Sequence, residues 1–525
     1  MTPTRPDRAR PGAPARMTPA LAAKLLAGLA AGLGAAAAGA GPMLPAGDMG
    51  LRSDIQYLAD HGIVTGPVST WPLAWAPIAR DVNAADPTNL PSHLAEVVLR
   101  VQARAEQAAG QGRPEFSAEL AGADNPARIR GFEDTPRGDV DARAGLDWQQ
   151  GRFAADVNVQ YVDTPDNGNP WVDVVQDDDE VRFDDTLLAV SLGNWSIGAS
   201  TQQRWWGPGW DGNLILTNNA RPIPALVIDR VFTDAFETKW LSWIGPWDLS
   251  AIFGRFESER AVPDAHFFGM RFSMRPFQSL ELGASRSAQL CGEGRPCGFD
   301  TYWDMFLGRD NVGDAGIDEE NEPGNQLAGF DARWNPGFWE RSLAFYAQFI
   351  GEDAADFFPS RYMGQAGFEW SGYLENRWSA RFFTEYADTN CQFYDAETCE
   401  NLAYNHNIYE TGYRYKGRVV GHGADGDSEL LSIGWVMTDP DATEWRVLLR
   451  GGKLNVEGEP DLHHSLTPTE QEIASIDIAH ARAFGFGRLE LGLGYEQLDD
   501  LASGEDEGDA RVYLQWTSHP GFAGR

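Results

Sequence analysis

Beyond residue 40 the chain has no apolar run approaching 18 residues, which excludes a membrane-crossing helix from the polypeptide after that point. Positive charge is scarce: 42 Lys and Arg stand against 77 Asp and Glu, a net charge of −35. Phosphate backbones are held by clustered Lys and Arg, so nucleic acid is excluded as a partner. Only four cysteines occur, as two close pairs, Cys291/Cys297 in CGEGRPC and Cys391/Cys399 in CQFYDAETC. Both stretches are polar and turn-rich, and no His or Cys alongside supplies the remaining ligands of a metal site. Two local disulfides in an oxidising compartment are expected, and no metal. Catalytic signatures are missing too: there is no G-x-S-x-G, no H-E-x-x-H and no Gly-Lys phosphate loop. ADGDSEL at 424–430 resembles a serine-esterase block, but Glu429 stands where that motif wants Leu, so it reads as a loop. The acidic runs QDDDE, DAGIDEENE and SGEDEGD fit no calcium-loop spacing and read as solvated surface. No enzyme and no cofactor is expected.

What is present begins with a leader. Arg5, Arg8, Arg10, Arg16 and Lys24 precede LLAGLAAGLGAAAAGA, which ends in Ala38-Gly39-Ala40. Residues 1–40 read as a cleaved export signal, and its removal leaves a mature chain of net charge −39. Next, LRSDIQYLADH at 51–61 sets Leu51, Ile55 and Leu58 at helical spacing, and PSHLAEVVLRVQARAEQAAG carries a second helix with Ser92 as its cap. WPLAWAPIARDV between them reads as a proline-broken connector. This small helical module, assigned to residues 41–128, is too short to bury much core alone and must pack on something.

From about residue 140 the period becomes 2. In GRFAADVNVQYVD the odd positions Phe153, Ala155, Val157, Val159 and Tyr161 are apolar and the even ones include Asp156, Asn158 and Gln160. The alternation returns in GRLELGLGYEQLD, in FFGMRFSM, in ERSLAFYAQF and in ARVYLQW, where Val512, Leu514 and Trp516 share a side. A propeller would repeat at a fixed period, and none is found. Short turns alternate with long acidic loops, as in a membrane barrel. The fold class expected is an all-β transmembrane barrel over residues 129–525, with about 18 antiparallel strands, long extracellular loops and a small N-terminal α-helical periplasmic module.

One stretch fits no plain strand: WWGPGWDGNLILTNNARPIP at 205–224, where Gly207-Pro208-Gly209 forces a bend and the proline cannot join a ladder. It closely resembles the signature of the capsule-assembly outer-membrane proteins of the Wzi family. FLGRDN at 306–311, EPGNQLAGFDARW at 322–334 and DIQYLADHGIVTGPVSTWPL at 54–73 resemble that family as well. The resemblance runs from about residue 48 to the C-terminus. It implies an 18-stranded outer-membrane barrel with a helical module on the periplasmic side. It also implies a lectin-like role in holding capsular or other surface polysaccharide at the cell surface.

Sugars offer C–H faces that stack on aromatic rings and hydroxyls that take paired hydrogen bonds from planar groups. Arg204, Trp205, Trp206, Trp210, Asp211, Asn213, Asn219 and Arg221 supply such groups, as a carbohydrate site or as a lumen plug with Arg221 paired to an acid such as Asp229. Asp310, Asn311, Asn325 and Gln326 are secondary loop candidates, or plain turn formers. Tyr302 and Trp303 read as girdle or loop-face residues. The expected partners are the polysaccharide, outer-membrane lipid, lipopolysaccharide and polysaccharide export machinery, and the chain is expected to be a monomer. The rival reading is a porin or channel for small saccharides or ions.

Overall fold

The structure, a computed structural model, describes residues 43–108, 112–165, 179–307, 324–355, 358–374, 377–394, 399, 401–456 and 463–518. The export signal expected at 1–40 lies outside the described residues.

Antiparallel strands close into a barrel of 18 positions. The first six are β1 Glu115–Asp124, β2 Gly138–Gln150, β3 Phe153–Pro165, the interrupted β4 (Asp179–Arg182 and Leu187–Leu192), β5 Trp195–Ser200 and β6 Ala225–Arg230. Both pieces of β4 pair with β3, so together they fill one position. The next six are β7 Trp247–Arg255, β8 His266–Phe277, β9 Leu280–Leu290, β10 Gly324–Trp334, β11 Leu343–Ala355 and β12 Phe358–Tyr373. The last six are β13 Ser379–Asp388, β14 Glu429–Thr438, β15 Glu444–Leu454, β16 Gln471–Phe484, β17 Gly487–Asp500 and β18 Asp506–Ser518. The ring closes where Val512–Ser518 of β18 pair with Ala118–Asp124 of β1. β1 lies inside the range 41–128 assigned from sequence to the helical module. The barrel therefore includes Glu115–Asp124, whose sequence EFSAELAGAD alternates too weakly to announce a strand.

The two-residue rhythm sorts side chains by face, with the apolar face outward. On β3, Phe153 is 54% and Val159 37% exposed, while Asn158 and Gln160 are buried. On β17, Leu491, Leu493 and Tyr495 are exposed and Glu490 and Glu496 buried; on β18, Val512 and Leu514 are exposed and Arg511 buried. A water-soluble sheet would bury the greasy face, so this inversion is what a lipid surround requires. No described helix is long and apolar enough to cross a membrane.

Short connections at 151–152, 193–194, 278–279 and 485–486 lie at one end. The N-terminal module closes that same end. Its helices are α1 Met49–Asp60, α2 Trp75–Ala84 and α3 Ser92–Ala108. Asp48 caps α1, its carboxylate accepting from the Leu51 N–H at 2.9 Å. The segment expected to be a proline-broken connector is helical from Trp75, because Pro77 falls in the first turn, where no intrahelical N–H is required. Ile55, Leu58, Val97, Val98 and Val101 form a common apolar core with barrel residues Tyr346, Phe383, Val436 and Leu448.

Almost all of α1 is buried, including Arg52, Asp54, Gln56 and Asp60. Burial of these charges is tolerable because each meets a partner. Arg100 forks onto Asp54 at 2.6 and 2.8 Å. From β10, Arg333 reaches Asp60 at 2.6 and 2.8 Å and Glu369 of β12 at 2.5 Å. Replacing Arg333 with Ala leaves the buried Asp60 carboxylate without its guanidinium and Glu369 with Arg381 alone, so Arg333→Ala is expected to cost about 3–5 kcal/mol. The checking measurement is the denaturant midpoint of the heat-modifiable gel form, which should fall clearly below that of the parent.

Candidate functional site

The chain leaves the wall after Ser200 and rejoins it at Ala225, so residues 201–224 run through the lumen. Trp205–Trp206 form a short antiparallel ladder with Thr70–Trp71 of the module. The bend that follows needs its glycines: Gly207 has φ +139°, and a Cβ on Gly209 would lie 1.9 Å from the Gly212 carbonyl oxygen. The resulting loop wraps one carboxylate. Glu385 of β13 accepts from the backbone N–H groups of Trp210, Asp211 and Gly212 at 2.8, 2.9 and 2.8 Å, and from the Tyr346 hydroxyl at 2.8 Å.

The residues named from sequence come together here as interior structure. Trp205, Trp206, Asn213 and Asn219 are wholly buried, and Arg204, Trp210 and Asp211 nearly so. Asp211 receives Arg450 on both oxygens at 2.6 and 2.8 Å and the Ser432 hydroxyl at 2.6 Å. The Asn213 side chain accepts from the Gly209 N–H at 3.1 Å, and Asn219 donates to the Val419 carbonyl at 3.1 Å. Trp210 lies between two guanidinium groups, Arg52 at 4.1 Å and Arg381 at 4.6 Å from its ring centroid. The pairing of Arg221 with Asp229 is corrected: Arg221 binds Asp184 at 3.0 and 3.1 Å and Glu180 at 2.5 Å, while Asp229 takes Arg204 at 3.0 and 3.1 Å. The swap follows from register: Asp229 is an inward position of β6 facing the start of the fold-in, where Arg204 sits.

Of the secondary candidates, Asn325 and Gln326 do not join this cluster. Asn325 faces inward on β10 and donates to the Gln289 side chain at 3.2 Å; Gln326 faces the other way and accepts from Arg286 Nε at 2.7 Å. Asp310 and Asn311 lie outside the described residues. Disulfides join Cys291 to Cys297 and Cys391 to Cys399. His266 stands close to the first pair, but both sulfurs are committed to each other, which leaves the group without a metal-ligating set.

A second fold-in was not foreseen. Part of the connection from β13 to β14, residues 401–428, packs into the lumen over the first. The Tyr404 and Tyr413 hydroxyls donate to the Leu214 and Ile215 carbonyls at 2.6 and 2.9 Å, and the Thr217 N–H donates to Val420 at 3.0 Å. Arg414 forks onto Asp425 at 2.7 and 2.9 Å. Burial pushes the Asp425 carboxyl up, but Arg414 outweighs it and holds the group well below the usual carboxylate range. A signal existed in the sequence: YNHNIYETGYRYKG carries Tyr404, Tyr409, Tyr413 and Tyr415, a density of hydroxyl-bearing rings that a solvated loop does not need.

Between module, fold-ins and wall the lumen is filled among the described residues. A hollow of about 70 Å³ beside Arg446, Arg450, Asp477 and Arg511 has room for a few waters and none for a sugar. Ser428, the serine of the esterase-like block, is buried and donates to the Ala424 and Gly426 carbonyls at 3.0 and 2.9 Å.

Residues 109–510 match the family model for the capsule assembly protein Wzi. The chain belongs to that family. A solved member, described as an outer-membrane protein involved in group 1 capsule assembly in Escherichia coli and as a carbohydrate-binding β-barrel, superimposes with a TM-score of 0.77. It is 25% identical and is covered over 98% of its length by 90% of this chain. A relative from Klebsiella pneumoniae, an uncharacterized 55.8 kDa protein in the cps region, is 36% identical over 342 residues. That match spans 64% of this chain and 63% of the relative. With this family and fold, the barrel is an outer-membrane one.

The second fold-in carries a pH dependence. Burial lowers His406 and His422 to about 4. Between pH 6.5 and 4 the unfolded segment takes up protons that the folded one refuses. Stability is therefore full above about pH 6.5 and falls on acidification, by up to about 1.4 kcal/mol per pH unit for each histidine. Amide hydrogen exchange of 401–428, corrected for the intrinsic rate, is expected to quicken from pH 7 to 5, and His422→Gln should blunt the change.

Proposed function

We propose that this protein is a lectin-like barrel of the outer membrane that binds and anchors capsular or other surface polysaccharide, assists capsule assembly and performs no chemistry of its own. The filled lumen carries this reading. A barrel whose interior is occupied by its own chain has no path for small saccharides or ions, which counts against a porin. The glycan contacts then belong to the long-loop end, facing outward from the cell, with the helical module toward the periplasm and the export machinery. The carbohydrate-binding description of the solved relative supports the same direction. Cleavage of the leader after about Ala40 and a monomeric state belong to this proposal as well.

Charge shapes the ligand. At net −39 after leader removal, the protein repels an acidic polymer over roughly 10 Å at moderate salt. Arg204 and Arg221 do not offset this, because both are neutralised by interior carboxylates. Acidic glycans therefore reach the surface through divalent cations, whereas neutral ones need no bridge.

The decisive experiment is binding of purified host surface polysaccharide to the detergent-solubilised protein. Binding is expected to persist in folded Trp206→Ala and Arg221→Ala variants, whose main loss is stability, and for an acidic polymer to drop at least tenfold on chelation. Absence of binding by any host glycan would overturn the anchoring role. In planar bilayers the parent is expected to give no steady large openings; such openings would favour the channel instead.

A further inference from the structure

The outer wall of the barrel is not uniform. On β8 and β9, Arg271, Ser273, Ser285, Ser287 and Gln289 point inward, so Phe268 and Ala288 hold outward positions. Both are nonetheless buried, because Cys291 and Met305 pack over them. The disulfide-closed loop and the helix α4, Phe299–Leu307, thus fold down over the outside of the wall at its long-loop end. Tyr302 fixes the helix there: its hydroxyl bonds His266 Nδ1 at 2.7 Å and its ring lies 5.9 Å from that of Phe253. Phe299 and Trp303 are left 80% and 54% exposed on α4, with their rings stacked at 12°. Aromatic rings of this kind favour the headgroup level of a membrane.

Beside α4 the wall has a hollow. β5 and β6 have only six residues each, because the chain leaves them for the lumen. A space of about 420 Å³ results, flanked by Phe183, Leu188, Leu226 and Phe253, with Ala199 among its lining residues and Arg255 and His266 at one edge. Phe183, Leu188 and Leu226 are 57%, 50% and 65% exposed, so the apolar lining is open sideways. The Arg255 side chain is 62% exposed and meets Asp264 through one nitrogen at 2.7 Å. An apolar recess in a lipid-facing wall is covered by hydrocarbon chains, and a guanidinium at its rim matches a phosphate.

We propose that this recess is a binding site for lipopolysaccharide of the outer leaflet, with an acyl chain in the hollow, a lipid A phosphate at Arg255 and Phe299 and Trp303 at headgroup level. The proposal rests on the outer-membrane orientation above but not on glycan binding. The test uses the full chain purified in mild detergent and incubated with purified lipopolysaccharide or with phosphatidylethanolamine. Bound lipid is counted by native mass spectrometry. Lipopolysaccharide is expected to stay bound to the parent. Retention should fall at least threefold in Ala199→Trp, which fills the hollow, and in Arg255→Ala. It should be unchanged in Leu431→Trp, which adds the same bulk at an exposed outward position of β14. Heat-dependent gel mobility confirms that each variant is folded. Undiminished retention in folded Ala199→Trp, or equal retention of phosphatidylethanolamine, would overturn the site. Polysaccharide binding measured on the same variants separates the two proposals: Ala199→Trp should keep it. A parent that holds lipopolysaccharide but no host glycan would sink the anchoring role alone.

Discussion

A ring of 18 strands encloses more space than its own side chains can fill, and inside it no polar group has guaranteed access to water. Everything else in this protein follows from how that space is occupied. Guanidinium groups on the wall meet carboxylates on the chain that fills the lumen, and the reverse: Arg450 with Asp211, Arg333 with Asp60, Glu385 with three consecutive backbone N–H groups. Such pairs contribute little over a well-packed apolar interior, but each becomes costly when one partner is missing. They therefore select one arrangement of the filling and penalise every other.

Much of the interior polar census is explained by this requirement. Gln348 accepts from Leu214 and donates to the Trp206 carbonyl, and Gln365 donates to Gly212, so wall amides hold the backbone of a loop that has no ladder of its own. Arg52 donates to the Gly209 carbonyl at 2.6 Å while its face lies over Trp210, coupling the first helix of the module to the bend it covers. Module, fold-in and wall thus share one network.

How far the sequence could be read depends on the range of the forces involved. Alternation of side chains is local, so Phe153 and Val159 against Asn158 and Gln160 disclosed the barrel and its inverted faces. The need for a bend at Gly207-Pro208-Gly209 is local too, and it marked the fold-in. Helical spacing at Leu51, Ile55 and Leu58 and the length of the alternating region gave the module and about 18 strands, and the family resemblance agreed with both. Pairing across the lumen is not local: Arg221 stands 41 residues from Glu180 and Arg450 stands 239 from Asp211, and nothing in either neighbourhood favours one acid among so many. The same limit hid the position of α4 on the outer face, whereas the strand at Glu115 was missed because its own alternation is weak and the second fold-in because its tyrosine density went unread. For the candidate site, composition named residues that do cluster, but aromatic and guanidinium groups serve an interior and a sugar equally well.

The seam between β1 and β18 joins Ala118 with Ser518, 400 positions apart in the chain. That pairing closes the sheet on itself, so no strand is left as a terminal edge with unpaired backbone groups facing lipid.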